Sequence, residues 1–167
     1  MKDIFLSQPT CIPKKQNKGI EDFCKWLKTM GLNPRTLGKT DSPVTDPLNE
    51  VLKMLKECSG MIVLGVPQIR VKTGTLKEKK ITKPLKLATE WNQIEAALAY
   101  SKKMPLLIIH DIGVSRGIFD HGALANFIHE VDFNDKGWYL KENIMQALKT
   151  WEKRLPEKRL PKKRLSK

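Results

Sequence analysis

The sequence predicts an α/β fold in three layers, with a central parallel sheet of four to five strands and helices on both faces. Two observations carry this. Short apolar runs alternate with amphipathic stretches along most of the chain, which is the pattern of βαβ units. The two strongest runs, residues 61–66 and 105–109, contain no charged residue, as strands covered on both faces require. A length of 167 residues, 40% of them hydrophobic, suits one domain with its own core.

The elements follow in order. Residues 4–7 form a first strand that ends in Gln8-Pro9-Thr10. Between 18 and 30, Ile20, Phe23, Cys24 and Leu27 recur at helical spacing, and Gly31 stops the helix. Residues 33–37 read as an edge strand. Loop 38–46 leads to Asp46 as N-cap and Pro47 at the first helical position, with Leu48, Val51, Leu52 and Leu55 as one stripe. A long basic loop, 67–87, follows the strand at 61–66. Thr89 caps a helix running to about Lys102, and the strand at 105–109 leads into a glycine-rich polar loop, 110–122. Residues 123–129 are short and helix-like, 131–133 form a last edge strand, and 141–154 form an amphipathic helix through Ile144, Leu148 and Trp151.

The net charge of +13 belongs to two segments. Residues 70–86 carry seven Lys/Arg and one Glu, and residues 153–167 carry eight Lys/Arg and one Glu. Together they account for the whole excess, so a body-wide nucleic-acid surface is not indicated. The end of the chain repeats KRLPE, KRLPK, KRLSK, and its prolines forbid a regular helix. The expected organisation is a domain over 1–154 and a disordered basic tail over 155–167. Such a tail is either simply solvated or makes weak contact with nucleic acid or anionic lipid. It has no aromatic residue for base stacking. Cys11, Cys24 and Cys58 form no CxxC pair, which argues against a disulfide framework or a zinc site. His121 and His129 have no third ligand nearby, so no metal is expected. With no secretory signal and no apolar run near 20 residues, a cytoplasmic location is expected. Neither a GxxxxGK[ST] loop nor a G-x-S-x-G elbow is present, which removes the P-loop and α/β-hydrolase readings.

In open α/β sheets, ligands bind outside the carboxyl ends of the strands. That rule selects loops 7–13, 66–87 and 110–122, together with the first turns of the helix after Thr89. On that helix Trp91, Ile94 and Leu98 form an apolar stripe, and Glu95 falls about 40° from Trp91 on its flank. Partial burial raises a carboxylate's pKa and suits it to general-base or nucleophilic work. Glu90 reads as a first-turn charge favoured by the helix dipole.

Three pieces of the chain resemble Toll/interleukin-receptor (TIR) domains. Lys2-Asp3-Ile4-Phe5-Leu6-Ser7 is similar to their opening strand. Glu57-Cys58-Ser59 followed by Gly60-Met61-Ile62-Val63-Leu64 is similar to the end of their next helix and their central strand. Thr89-Glu90-Trp91-Asn92-Gln93-Ile94-Glu95 resembles the family's Ser-x-Trp-Cys-x-x-Glu, with Thr89 for serine and Asn92 for cysteine. Nucleoside 2-deoxyribosyltransferases similarly place a glutamate on the helix after the central strand. The resemblance spans roughly residues 2 to 110.

It implies a flavodoxin-like sandwich and, at Glu95, the catalytic glutamate of the NAD-cleaving members. Three functions stay open. One is hydrolysis of NAD or a related nucleotide, in bacterial anti-phage defence. The second is a deoxyribosyltransferase-like reaction, and the third is a non-enzymatic nucleotide-sensing or self-associating role. NAD enters as substrate, no cofactor is implied, and homo-oligomers are common in the family. A carboxylate at the ribose face can stabilise or attack an oxocarbenium-like centre. Ser7 and Thr10 are then candidates for hydrogen bonds to ribose or phosphate, and Trp91 for base stacking unless it is core. Arg70 or Lys72 is placed to meet a pyrophosphate, and Arg116 to pair with a phosphate. His110 and Asp111 end a buried strand and are expected to face the crevice.

Overall fold

The computed structural model describes residues 1–122 and 128–157. Its strands and helices, in chain order, are β1 (Lys2–Ser7), α1 (Lys14–Thr29), β2 (Leu32–Arg35), α2 (Pro47–Glu57) and β3 (Met61–Gly65). Then come β4 (Ile69–Val71), β5 (Thr75–Leu76), β6 (Lys79–Lys80), β7 (Leu85–Leu87), α3 (Glu90–Ser101), β8 (Leu106–Asp111), β9 (Ile128–Val131) and α4 (Glu142–Glu152). Five strands make the main sheet in the order β2-β1-β3-β8-β9, and every neighbouring pair is parallel. This is the flavodoxin-like order, flanked by helices on both faces.

Alternation along each strand builds two cores. Ile4, Leu6, Ile62, Leu64, Leu107 and Ile109 face the layer of α1 and α4, where Phe23, Trp138 and Trp151 are also buried. Phe5, Met61, Val63 and Ile108 face the layer of α2 and α3. Ser7 shares a face with Phe5, so the first strand ends with a hydroxyl aimed into the α3 layer. Asp46 caps α2 by accepting from the Asn49 N–H at 3.1 Å, with Pro47 in the first turn. Thr89 caps α3 by accepting from the Asn92 N–H at 3.2 Å.

Four expectations are corrected. The stretch after β3 is not a plain loop: β4 and β7 pair antiparallel, and β5 and β6 form a tight hairpin. Its two turn residues, Lys77 and Glu78, have φ values of 49° and 63°. Hairpin turns of this hand favour Asn-Gly, so a Lys-Glu pair gave no turn signal. The last strand lies at Ile128–Val131 rather than 131–133, so His129 is in a strand and not a helix. The remainder of the expected helix, 123–127, lies outside the described residues. Phe133 instead fills the core beyond the strand. On α3 the buried residues are Asn92, Glu95, Ala96 and Ala99, while Trp91 and Ile94 are 43% and 39% exposed. The helix turns its small and polar side to the sheet, because alanines permit close approach to β3.

The fourth correction concerns the tail boundary. Leu155 is 5% exposed and belongs to the α1/α4 core. A Cβ at Gly60 would collide with the Leu155 side chain and come within 2.9 Å of the Trp151 ring, so the site is shaped for both. Truncation after Arg154 should therefore cost about 2–4 kcal/mol. Thermal melts should show the midpoint falling by about 5–10 °C, against almost no change for truncation after Glu157. Equal melting of the two truncations would show that Leu155 contributes no packing.

Candidate active site

The sheet reverses its strand order between β1 and β3, and the crevice outside the carboxyl ends lies there. The first turns of α3 border it. Four side chains form a chain of hydrogen bonds at this point. The Thr89 hydroxyl donates to Asn92 Oδ1 at 2.9 Å, which orients the amide so that Asn92 Nδ2 donates to Ser7 Oγ at 2.7 Å. Ser7 in turn donates to Glu95 Oε2. Because the serine oxygen already accepts from Asn92, its own proton is directed at the carboxylate.

Glu95 is 7% exposed and, among the described residues, has no cation beside it. Burial pushes its pKa up to about 7, with the Ser7 hydrogen bond pulling the other way. The burial follows from the polar face that α3 turns inward, not from the flank of an inward apolar stripe. Its second oxygen, Oε1, makes no hydrogen bond among the described residues and opens on a cavity of about 310 Å³. Gln8, Pro9, Thr10, Thr89 and Trp91 line that cavity with Glu95, and Leu37, Gly38, Pro43 and Pro47 close the far wall. Among the described residues Glu95 is the sole titratable side chain in this lining.

The walls are pinned. Arg35 reaches Asp41 at 2.5 Å and Glu57 at 2.8 Å, tying the loop after β2 to the end of α2. Glu50 Oε1 accepts from the Val44 and Thr45 N–H groups at 3.2 and 3.0 Å and fixes the same loop nearer α2. On the other side Gln93 of α3 grips the loop after β8. It donates to the Arg116 carbonyl at 3.1 Å and accepts from the Ile118 N–H at 2.9 Å. Gly117 has φ +62°, and a Cβ there would strike Gln93.

Of the residues singled out from the sequence, Ser7, Thr10, Trp91 and Glu95 meet at this site. Arg70 does not: it lies exposed on β4, and Lys72 just beyond is exposed too. Asp111 points into the opposite layer. Its Oδ1 accepts from the Phe133 N–H at 3.0 Å and its Oδ2 from Gln16 Nε2 at 3.4 Å, so it anchors the chain after β9. Strand alternation separates it from Glu95, and the same alternation turns His110 toward Phe119 on the α3 side. Arg116 reaches the site through its backbone, by way of Gln93, and its side chain does not line the cavity. Gln8 and the Asn92 amide were not singled out for a role in the site. The signal for Gln8 was its place directly after Ser7 at the strand end.

No protein-family model matches the chain, and no curated protein matches it in sequence. Among solved structures, the CMP N-glycosidase BcmB of Clostridium botulinum is similar, with a TM-score of 0.53 and 15% identity. The match covers 87% of this chain and 99% of that one. TIR domains of the activated Roq1 resistosome match with a TM-score of 0.42 and 12% identity, over 67% of this chain and 58% of that one. A conserved protein from Enterococcus faecalis matches at 0.44 and 12%, over 92% and 97%. At 15% identity the likeness to BcmB shows a shared fold. Among the described residues no helix is long and apolar enough to cross a membrane.

The buried carboxylate makes stability depend on pH. Its ordinary value is 4.5 and its folded value about 7, so between these the folded chain holds a proton that the unfolded chain has lost. Stability should decline as pH rises from about 4.5 and level off above about 7, a total of about 3 kcal/mol. Glu95→Gln should remove that part of the decline. Urea midpoints at pH 5 and pH 8 measure it, and an identical pH dependence in both proteins would mean that the carboxylate is hydrated.

Proposed function

We propose that this protein cleaves the N-glycosidic bond of a nucleotide, with Glu95 as the catalytic carboxylate. The observation that carries the reading is a desolvated carboxylate without a cation, one oxygen held by Ser7 and the other open to a cavity at the switch point of the sheet. Such a group is matched to positive charge developing at a ribose C1′, because no fixed cation neutralises it first. As the C1′–N bond breaks, its electron pair leaves with the base. Glu95 then either stabilises the ribosyl cation or bonds to C1′, and water completes the hydrolysis with release of a proton. Trp91 offers a flat face at the cavity mouth for the base, and Thr10 a hydroxyl for the ribose.

The lining favours one kind of leaving group. With Glu95 as the sole titratable side chain among the described lining residues, these supply no second group to protonate a departing neutral base. A base already cationic at its glycosidic nitrogen needs none, since it leaves as a neutral molecule. Nicotinamide in NAD meets that condition. NAD is therefore the proposed substrate, consistent with the TIR-like motif around Glu95, and the same motif motivates a role in bacterial anti-phage defence.

Incubating the protein with NAD, CMP and deoxynucleosides and following free base by chromatography tests this. NAD should release nicotinamide, and kcat/KM should rise with pH through about 7 as Glu95 ionises. Glu95→Gln should lower the rate by roughly 10³-fold or more. Glu90→Gln should retain most of it, since Glu90 is exposed in the first turn of α3. Base transfer between deoxynucleosides without NAD cleavage would favour the deoxyribosyltransferase reading. No base release under any condition would leave a sensing or self-associating role.

A further inference from the structure

A second and larger cavity, about 650 Å³, adjoins the first and shares Gln8 and Thr10 with it. Its walls come from α1, the end of β2 and the loop that follows. They carry three lysines, Lys25, Lys28 and Lys39, against one carboxylate, Glu21. Glu21 is already bonded to Asn17 Nδ2 at 2.6 Å, and Lys25 lies 3.6 Å from Asp22. The ammonium groups of Lys28 and Lys39 make no ion pair or hydrogen bond among the described residues. Both act electrostatically on the thiol of Cys24 in the same wall, so the two ammonium groups converge on one region from α1 and from the loop.

Gln8 stands at the junction and carries a second signal. Its Nε2 donates to Thr36 Oγ1 at 3.1 Å, while the Thr36 hydroxyl donates to the Leu6 carbonyl at 2.9 Å. Since the threonine proton is spent on Leu6, the threonine oxygen can only accept from Gln8. The amide orientation is thereby determined, and Gln8 Oε1 is left as a buried acceptor without a donor. An unpaired buried acceptor is costly, and a hydroxyl from a bound molecule would satisfy it once the side chain turned Oε1 toward the cavity surface.

We propose that this second cavity receives the phosphate-bearing half of a dinucleotide substrate, with Lys28 and Lys39 holding the pyrophosphate and the Gln8 side chain, once turned, offering Oε1 to a ribose hydroxyl between the cavities. The assignment rests on the reading of the first cavity as the place where the base is released. A lone phosphate does not need 650 Å³, whereas a pyrophosphate with a second nucleoside uses a volume of that order. Specificity for dinucleotides over nucleosides then resides in α1 and the loop after β2, and not in the basic ribbon of β4 to β7. The exposed lysines on that ribbon line neither of these two cavities.

Two measurements test it, and one of them needs no catalysis. In the Glu95→Gln protein, calorimetric titration with ADP-ribose should show binding that weakens with added salt. Adding Lys28→Glu and Lys39→Glu should weaken it by roughly tenfold or more. In the protein with Glu95 intact, the same pair of charge reversals should lower the kcat/KM ratio of NAD to nicotinamide riboside by a comparable factor, mainly through the KM for NAD. Circular dichroism checks that the variants fold, which both exposed positions should permit. Unchanged ADP-ribose affinity, or an unchanged substrate ratio, overturns the proposal. Absence of base release with ADP-ribose binding intact and lysine-dependent would overturn the catalytic reading and leave this site standing.

Discussion

A carboxylate buried at the end of the first strand, with no cation to neutralise it, is the constraint on which the site depends. Burying such a group is costly unless it is hydrogen-bonded or takes up a proton. Ser7 supplies the bond to Glu95, and the chain back through Asn92 to Thr89 supplies the direction of that bond. Thr89 serves twice: its oxygen accepts from the Asn92 N–H to cap α3, and its proton orients the Asn92 side chain. The start of the helix and the state of the carboxylate are thus set by the same hydroxyl. Ala96 and Ala99 complete the arrangement one and two turns on, where their small side chains pack against the sheet.

Around that point, side chains on regular elements hold the irregular segments. Gln93 clamps the loop after β8, and Gly117 gives it the backbone turn and the space that the clamp needs. Arg35 and Glu50 clamp the loop after β2 from the sheet edge and from α2. Gly65, at the carboxyl end of β3, keeps room for Phe119 and His110, since a Cβ there would lie 2.5 Å from the Phe119 ring and 2.8 Å from His110 Cβ. The candidate site is in this way framed largely by groups whose own hydrogen bonds are already made. Gln8 Oε1 and His110 Nε2 are buried there without a partner, and Gln8 is a residue that both cavities share.

The basic segments divide by structure. The ribbon of β4 to β7 displays its lysines outward, and the docked Lys86 ammonium, bonded to the Ile112 carbonyl at 2.6 Å, ties its base to the loop after β8. Its charge is held on the rim of the sheet and not in the crevice. The lysines that line the cavity beside Glu95's own, Lys25, Lys28 and Lys39, belong to the charge-balanced part of the chain, where a count of net charge gives them no prominence.

What the residues determined by themselves was local. The buried strands at β3 and β8 were legible because an uncharged apolar run has no other use in a chain of this kind. The caps at Asp46 and Thr89 were legible because a capping oxygen needs only its own first turn. The strand-end rule and the spacing of the Trp91-to-Glu95 motif brought Ser7, Thr10, Trp91 and Glu95 into one group. What only the tertiary structure decided was which way each element faces its neighbour. Periodicity shows that Trp91, Ile94 and Leu98 share a side of α3 but not that the sheet takes the adjoining side, where two alanines allow the backbone closer. It places Asp111 at a strand end but not on the face away from Glu95, since one residue of alternation separates the two layers. The repeat reads Leu155 as the first residue of a disordered tail, although the space over Gly60, between α4 and the sheet, admits that side chain. In each case the deciding quantity is the space between elements distant in sequence, and that space exists only once the chain has folded.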